Sequence, residues 1–296
     1  MQARHWSRRG DWLELTPGRS VLKDEEQLEQ WLRHTLRVPL HMIRAWKHEK
    51  SLIIAGDRLR LPVFHREEVD AAPADQPAVI LYEDDSCLVA YKEAGRPVHP
   101  ANEVQEEART ALSHAVACHY AWTGQEVRIR HIHRLDADTT GPVLYAKTAL
   151  SHAILDEAMR EKQIHRTYQA VVQGEVKPKS GTINAPIGKD RHKRNRRIVT
   201  PNGDHAVTHY ETLKTSNELS LVQLELETGR THQIRVHMAN LGYPLAGDTL
   251  YGGSRTLFHR QALHGVALSF PHPFSGEEVV VFAPMPDDMN LLIQKI

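Results

Sequence analysis

The sequence predicts an α+β protein, in which a domain built on a mixed, mainly antiparallel sheet follows a small helix-helix-hairpin module. From Val79 onward, short strand signals separated by turn residues dominate, and only a few helices are inserted among them. The composition, with 41% hydrophobic and 25% charged residues in a chain of 296, is typical of a folded globular protein. One large domain and one small domain fit this length.

The small module is predicted from two helical patterns and one hairpin. A helix begins after Asp24, which forms a capping box with Gln27. Two strand-like segments further along the chain flank a turn at Gly56-Asp57. The apolar residues at helical spacing are Leu28, Trp31, Leu32 and Leu36 in the first helix, and Met42, Ile43 and Trp46 in the second.

A segment without periodicity separates this module from the rest of the chain. It covers residues 65–78 and is rich in Ala, Pro, Asp and Glu, as exposed linkers are. We therefore expect an N-terminal module at 1–64, a linker at 65–78 and a second domain at 79–296.

Two elements of the second domain are predicted most clearly. Apolar residues alternate with polar ones from Val222 to Leu226, which predicts a half-buried strand. A helix should follow, with Thr231 as its N-cap and Gly242 at its C-terminal stop. The spacing of Ile234, Met238 and Leu241 predicts one buried stripe on that helix.

Charge and composition exclude several classes of function. The 37 basic and 37 acidic residues give a formal net charge of zero, so the field of the whole protein does not favour a polyanion. Neither an HExxH motif nor a Cys/His cluster occurs, and His131 and His133 lack a third ligand, so we expect no metal. Cys87 and Cys118 are too few for a disulfide framework and are expected to be buried thiols. Without an apolar leader or a membrane-spanning stretch, we expect a cytoplasmic protein.

Positive charge is concentrated in one short run of the sequence. Such a run is typical of a loop that contacts phosphate, although an isolated run is more often a solvated surface loop. The basic residues of the run are Lys189, Arg191, Lys193, Arg194, Arg196 and Arg197.

Three motifs together resemble those of the RluA family of pseudouridine synthases. They are His133-Arg134-Leu135-Asp136-Ala137-Asp138-Thr139-Thr140-Gly141, Arg166-Thr167-Tyr168-Gln169-Ala170 and Gly229-Arg230-Thr231-His232-Gln233-Ile234-Arg235-Val236-His237. Thr140 stands where the family usually has serine, which keeps the hydroxyl. The similarity continues through Lys92–Pro100, Gly247–Gly252 and Arg260–His264, with Glu93 replacing the usual proline, so it covers nearly all of the chain after the linker.

This resemblance implies the pseudouridine synthase fold and a reaction that needs no cofactor, the isomerisation of uridine in structured RNA. Ribosomal RNA is favoured over transfer RNA, because the N-terminal module resembles a small RNA-binding module that precedes the catalytic domain in many of these enzymes. We expect a monomer without a protein partner.

The resemblance also implies catalytic roles for particular residues. Asp136 matches the family nucleophile, and Arg235 matches the partner that keeps the carboxylate ionised. Tyr168 matches the residue that stacks on the target base, and Leu263 matches an apolar residue of the pocket floor. From the residues alone, Asp136 could instead shape an Asx turn, Arg235 could form a surface ion pair, and Tyr168 could be a core side chain.

RNA contacts are expected on both sides of the nucleophile. Arg134 is the expected wedge or phosphate anchor for a flipped-out nucleotide, and Arg230 could contact phosphate or pack within the wall of the site. The basic run is expected to form the tip of a hairpin between strands that contain Thr182-Ile183 and Ala206–Thr208.

Two other functions are compatible with these residues. The first is an RNA-binding or ribosome-assembly factor that keeps the fold without catalysis. The second is a carboxylate-dependent hydrolase, which needs a second acid such as Asp138 or Glu227 beside Asp136. The presence of Asp136, Tyr168 and Arg235 together favours the synthase.

Overall fold

The computed structural model of the protein describes residues 5–193 and 195–296, so Arg194 of the basic run lies outside the described residues. The helices are α1 (Arg19–Lys23), α2 (Glu25–His34), α3 (Leu40–His48), α4 (Glu103–Ala108), α5 (Leu112–Trp122), α6 (Ala149–Arg160), α7 (Gln233–Asn240) and α8 (Asp287–Ile293). The strands are β1 (Trp6–Arg9), β2 (Trp12–Leu15), β3 (Ile53–Ala55), β4 (Arg58–Pro62), β5 (Val79–Glu83), β6 (Cys87–Lys92), β7 (Arg130–His131), β8 (Gly141–Ala146), β9 (His165–Gln173), β10 (Ser180–Asn184), β11 (Ile187–Lys189), β12 (Arg197–Val199), β13 (Val207–Thr215), β14 (Leu219–Leu226), β15 (Leu263–Pro271) and β16 (Glu278–Phe282). Over the described ranges, no helix is long and apolar enough to cross a bilayer.

The N-terminal residues contain more strand than the helix-helix-hairpin prediction allowed. The expected helices are α2 and α3, the Asp24 side chain accepts from the Gln27 N–H, and β3 and β4 form the expected hairpin. A further hairpin, β1–β2, precedes the helices, and the four strands form one sheet in the order β1-β2-β4-β3. Sequence patterns missed β1 because its Ser7, Arg8 and Arg9 are exposed and leave Trp6 as its single apolar residue.

The apolar core of these residues extends into the second domain. Leu13, Leu32 and Leu59 are fully buried in one cluster that also contains Leu150 and Ile154 of α6. Phe274 completes the same cluster. The N-terminal residues therefore pack directly against the domain that follows.

Residues 65–78 have no helix or strand, and they are fastened to the surface of the second domain. The Glu67 carboxylate forms a close ion pair with the Arg130 guanidinium, and the Arg128 Nε donates to Asp70 Oδ2 over 2.7 Å. The Ala78 N–H donates to the carbonyl of Ala115 in α5.

Two antiparallel sheets form the body of the second domain. The larger has the order β10-β13-β14-β9-β15-β16, and the smaller has the order β5-β6-β8-β7. The strand predicted at Val222–Leu226 is part of β14, between β13 and β9, and its prediction is confirmed. Cys87 and Cys118 are both buried as free thiols.

Helix α7 begins one residue later than predicted and is buried more completely. Its N-cap is His232, which has a φ of 60°, so the prediction of Thr231 was wrong. The Gln233 side chain accepts from the Thr228 hydroxyl and the Arg230 N–H, which holds the preceding residues in a turn. The predicted stripe is also wrong at its end, because Leu241 is 38% exposed while every residue from Gln233 to Met238 is buried.

The two sheets of the second domain meet where Gly141 at the start of β8 approaches Gly265 in β15. Thr140 and His264 form a parallel bridge beside this point. Gly141 has a φ of 137°, and a Cβ there would lie 2.8 Å from the Cα of Gly265. Glycine is therefore required at position 141, where the loop that contains Asp136 joins the sheet.

Gly141→Ala is expected to destabilise the protein more than Gly124→Ala. Both glycines have a positive φ, 137° and 68°, and a side chain is strained there by about 1–3 kcal/mol. Only at Gly141 does the new Cβ also meet backbone, which adds about 1–3 kcal/mol. Urea unfolding of both variants measures the difference in the free energy of unfolding. Equal losses of this free energy would show that β8 and β15 can move apart to make room for the Cβ.

Candidate active site

Asp136 lies in a turn between β7 and β8. Two buried cations bond to the backbone of the residues that follow it in this turn. The Thr139 N–H donates to the Asp136 carbonyl over 3.0 Å and closes the turn. The Lys92 Nζ donates to the Ala137 carbonyl over 2.5 Å, and the Arg260 Nη1 donates to the Asp138 carbonyl over 3.0 Å. The position of Asp136 is therefore set by contacts to its neighbours' backbone.

The threonine hydroxyls of this turn bond to other segments of the protein. Thr139 Oγ1 accepts from Gln261 Nε2 over 3.1 Å. Thr140 Oγ1 lies 2.7 Å from His264 Nδ1. The hydroxyl that threonine keeps at position 140 thus fastens the turn to β15.

Arg235 joins Asp136 to a second carboxylate, Asp248. Arg235 Nε and Nη2 donate to the two oxygens of Asp248 over 2.7 and 2.9 Å. Nη1 donates to Asp136 Oδ2 over 3.0 Å. Burial opposes the charge of this side chain, but Asp248 and Asp136 outweigh it and raise the pKa of Arg235 above its usual range. Arg235 is thus a buried cation shared by two carboxylates, as the prediction of a partner for Asp136 required.

The two oxygens of Asp136 differ in their surroundings. Oδ2 accepts the hydrogen bond from Arg235, whereas no hydrogen bond reaches Oδ1 from any residue the structure describes. The Asp136 side chain is 23% exposed and lines an open cleft with about 440 Å³ of empty space. One carboxylate oxygen is therefore free to meet a ligand.

Tyr168 and Leu263 line the same cleft, as predicted for the base-binding residues. They come from adjacent strands, β9 and β15, whose pairing places Gly265 opposite Tyr168. Burial raises the pKa of the Tyr168 phenol, Arg166 acts in the opposite direction, and Asp136 raises it further. The phenol is consequently neutral near pH 7, with its ring available for stacking on a base.

The cleft is rich in arginine. Asp136 is its single carboxylate among the described lining residues, so Asp138 and Glu227 do not supply the second acid that a hydrolase needs. Glu227 pairs with Lys162 and His209. The four arginines that line the cleft are Arg134, Arg166, Arg230 and Arg235.

Arg134 and Arg230 were both predicted at the site, and both are exposed. Arg230 Nε donates to the His205 carbonyl over 3.0 Å, which anchors its side chain to the wall of the cleft. No hydrogen bond or ion pair holds the Arg134 side chain within the described part of the chain, so it can turn toward a ligand.

Sequence patterns did not identify Arg166 and His232 as site residues. Arg166 lines the cleft with a buried Nε that has no hydrogen-bond partner among the described residues. Its position two residues before Tyr168 on β9 puts both on one face of the strand, which could have indicated it. His232 Nε2 lies 3.9 Å from Asp136 Oδ2, and burial lowers the pKa of this histidine. Its left-handed backbone left no signal in the sequence.

The basic run forms a hairpin tip, but the strands beside it are not those expected. The strands that contain Thr182-Ile183 and Val207-Thr208 pair directly with each other. The run is instead the tip of a separate hairpin, β11–β12, which we call the basic hairpin and which comprises residues 187–199. Lys189, Arg191 and Lys193 are exposed, while Arg196 and Arg197, where the tip joins β12, are half-buried.

A metal site was not expected from the sequence. In residues 5–193 and 195–296, no group of three or more His, Cys, Asp or Glu side chains could hold a metal ion.

Asp248→Asn is expected to lower the free energy of unfolding by about 1.5–3 kcal/mol, the value of hydrogen bonds to a charged group. The substitution removes the charge that holds Arg235 in place. Asp156→Asn is the matched control, because Asp156 pairs with Arg160 at 3.3 Å on the exposed face of α6 and contributes about 0.5 kcal/mol or less. Urea unfolding measures both losses. Equal losses of unfolding free energy in the two variants would contradict a structural role for the buried pair of Arg235 and Asp248.

Comparisons with known proteins agree on one family. A family model described as RNA pseudouridylate synthase matches residues 86–240. An uncharacterized RNA pseudouridine synthase of Bacillus subtilis is 42% identical over 294 residues, which cover 93% of this chain and 96% of that protein. Ribosomal large subunit pseudouridine synthase D of Vibrio cholerae is 39% identical over 254 residues, which cover 81% of this chain and 77% of that protein.

A solved human structure, RNA pseudouridylate synthase domain containing 4, has the same fold. It matches with a TM-score of 0.61 at 22% identity, over 73% of this chain and 92% of that chain. The predicted fold class and the resemblance of the motifs are both confirmed. The chain belongs to the RNA pseudouridylate synthase family, and within it to the RluA type.

Proposed function

We propose that the enzyme converts uridine to pseudouridine in ribosomal RNA, with Asp136 as the nucleophile and without a cofactor. One observation supports this most directly. Asp136 is the single carboxylate among the described residues of the cleft, and its Oδ1 is free while Oδ2 is bonded to Arg235. An ionised, oriented carboxylate with one free oxygen is suited to attack on an electrophilic carbon.

The reaction rearranges bonds within one nucleotide. The bond between ribose C1′ and base N1 breaks, the detached uracil turns, and C1′ bonds to C5, while a proton leaves C5 and N1 gains one. Asp136 can attack C1′, attack the base ring or remove a sugar proton, and each route requires the ionised carboxylate. Arg235 Nη1 donates to Oδ2 over 3.0 Å, a charge-assisted hydrogen bond that orients the carboxylate.

Tyr168 and Leu263 are proposed to hold the uracil while it turns. Ring stacking on Tyr168 is tolerant of rotation in the plane of the base, which suits a base that must present first N1 and then C5. The phenol is also proposed to assist the removal of the C5 proton. Leu263 supplies the apolar floor of the same cleft.

Ribosomal RNA is the proposed substrate because relatives at 37–39% identity are named ribosomal large subunit pseudouridine synthase D. Structured RNA must present the uridine in a loop or release it from the stack, and Arg134 is proposed as the wedge or phosphate anchor in that step. Arg230 is proposed to contact phosphate from the wall of the cleft. We propose a monomer.

The domain boundaries of this proposal follow the sequence pattern. Residues 1–64 form a module that assists RNA binding, residues 65–78 connect it, and residues 79–296 carry the catalytic domain. The exposed side chains of Lys189, Arg191 and Lys193 in the basic hairpin contact the RNA backbone, and the remaining basic residues of the run, Arg194, Arg196 and Arg197, reinforce that contact.

Asp136→Asn is expected to abolish pseudouridine formation, because an amide cannot act as the nucleophile. The test maps pseudouridines in total RNA from cells that lack the native gene and express wild type, Asp136→Asn or Asp138→Asn. One defined site should be present with the wild type and with Asp138→Asn, and absent with Asp136→Asn.

Asp138 is a matched control because it lies in the same turn and is exposed. If Asp136→Asn is folded and still restores the site, Asp136 is not the nucleophile. If the wild type itself restores no site, the non-catalytic RNA-binding factor becomes the better explanation.

The double variant Arg191→Gln, Lys193→Gln is expected to weaken RNA binding and to reduce its salt dependence. Each lost phosphate contact lowers the slope of log K against log salt by about one, so the slope should fall by about two. The control is Arg160→Gln, Lys214→Gln, which removes the same charge from exposed positions on α6 and β13. Filter binding between about 50 and 200 mM salt measures both slopes, because affinity that depends on phosphate contacts falls strongly over this range. An unchanged slope would rule out phosphate contact by these two side chains.

A further inference from the structure

Tyr251 lies where three parts of the protein meet. Its ring is buried, with 7% exposure, in an apolar cluster that also contains Ile187 of the basic hairpin and Val236 of α7. Its own N–H donates to the Asp248 carbonyl over 3.1 Å, so it belongs to the turn that presents Asp248 to Arg235. The basic hairpin, that turn and the start of α7 are therefore linked through one side chain.

The phenol oxygen of Tyr251 bonds to both the basic hairpin and the active site. It accepts from the Arg197 N–H over 2.9 Å, and it lies 2.9 Å from His232 Nδ1. Since the oxygen already accepts from Arg197, its own hydrogen is available to donate to Nδ1. In the tautomer that accepts this hydrogen bond, the proton of the imidazole is on Nε2, the atom that lies 3.9 Å from Asp136 Oδ2.

The ring of Tyr251 makes a second link between the same two regions. The guanidinium of Arg235 lies 5.0 Å from its centroid, and the guanidinium of Arg196 lies 5.8 Å from it. Both distances are within the range of cation–π attraction. One ring thus contacts the arginine that orients Asp136 and an arginine of the tip of the basic hairpin, next to β12.

A two-stranded hairpin is marginally stable by itself, and its contacts with the rest of the protein decide its position. β11 and β12 form a sheet of their own, and the phenol and ring of Tyr251 are among the contacts that hold them to the active site. RNA bound to the basic hairpin would therefore also restrict the position of Tyr251, and through it the positions of His232 and Arg235.

We propose that Tyr251 is a positioning residue that couples RNA contact at the basic hairpin to the orientation of Asp136, acting through His232 and Arg235. The coupling rests on the proposed function, in which Asp136 is the nucleophile and the basic hairpin contacts RNA. It makes the basic hairpin contribute to the rate of the chemical step as well as to RNA affinity.

The test is a double-mutant cycle between Tyr251→Phe and the hairpin variant Arg191→Gln, Lys193→Gln. The measured quantity is the single-turnover rate constant at saturating enzyme on a ribosomal RNA fragment that contains the mapped site, with RNA affinity measured separately. Tyr251→Phe removes the hydroxyl and keeps the ring. One hydrogen bond contributes about 1 kcal/mol, so we expect the rate constant to be about fivefold lower. In the Tyr251→Phe background, the hairpin variant should still weaken affinity but should lower the saturating rate by a smaller factor than in the wild type, because only the contacts of the ring remain to couple the two regions.

Tyr243→Phe is the matched control, because it removes a tyrosine hydroxyl that bonds to the backbone N–H of Lys177 over 3.2 Å, and Tyr243 is not among the described residues that line the cleft. It should leave the saturating rate unchanged. His232→Gln leaves no polar atom at the position of Nδ1, so it breaks the Tyr251–His232 hydrogen bond from the other side. It should lower the rate to a similar extent, which keeps the test valid if Tyr251→Phe unfolds. Thermal unfolding shows whether Tyr251→Phe is folded.

Two results would overturn the coupling. One is an unchanged saturating rate in folded Tyr251→Phe and His232→Gln. The other is a hairpin variant that lowers the saturating rate by the same factor in both backgrounds. Failure of the proposed function has a different signature, because Asp136→Asn would then retain activity or the hairpin variant would bind RNA as the wild type does.

Discussion

The buried guanidinium of Arg235, shared between Asp136 and Asp248, is the interaction on which the geometry of the site depends. Removing a charge from water is costly unless it is paired and fully hydrogen-bonded, and Asp248 meets that requirement with two bonds. The third, to Asp136 Oδ2, orients the carboxylate without using its other oxygen. The turn that carries Asp248 requires glycine at position 247, because a Cβ there would clash with the Arg260 carbonyl oxygen.

A second buried cation, Lys92, supports the same site. Lys92 is fully buried, and burial lowers its pKa to about 7, yet its Nζ donates to the carbonyls of Glu93, Arg96 and Ala137. Three carbonyl partners use the three hydrogens that only the ammonium form carries, which favours the charged state. Lys92 thereby joins the loop after β6 to the turn of Asp136. The departure from the family pattern at Glu93 leaves this contact intact, because Lys92 bonds to the backbone carbonyl of Glu93 and not to its side chain.

Sequence patterns predicted the side chains of the site better than the contacts between them. Asp136, Tyr168, Leu263 and Arg235 were all identified from motifs, and they line one cleft because β9, β15 and α7 converge there. The motifs could not show that Arg235 is clamped by Asp248, since a motif names residue types and not the atoms they bond. Arg166 and His232 were missed because their roles arise from packing between segments far apart in sequence, and β1 was missed because its side chains face solvent.

The most direct test of the central claim is an experimental structure of the Asp136→Asn variant bound to a ribosomal RNA fragment that contains the target uridine. Reacting atoms in a productive complex lie about 3–3.5 Å apart. The expected complex has the uracil stacked on Tyr168, Arg235 still bonded to Asp248, and the unbonded side-chain atom of residue 136 at about that distance from the target nucleotide. A uridine bound outside the cleft, or one whose nearest reactive side chain is not residue 136, would contradict the role of Asp136.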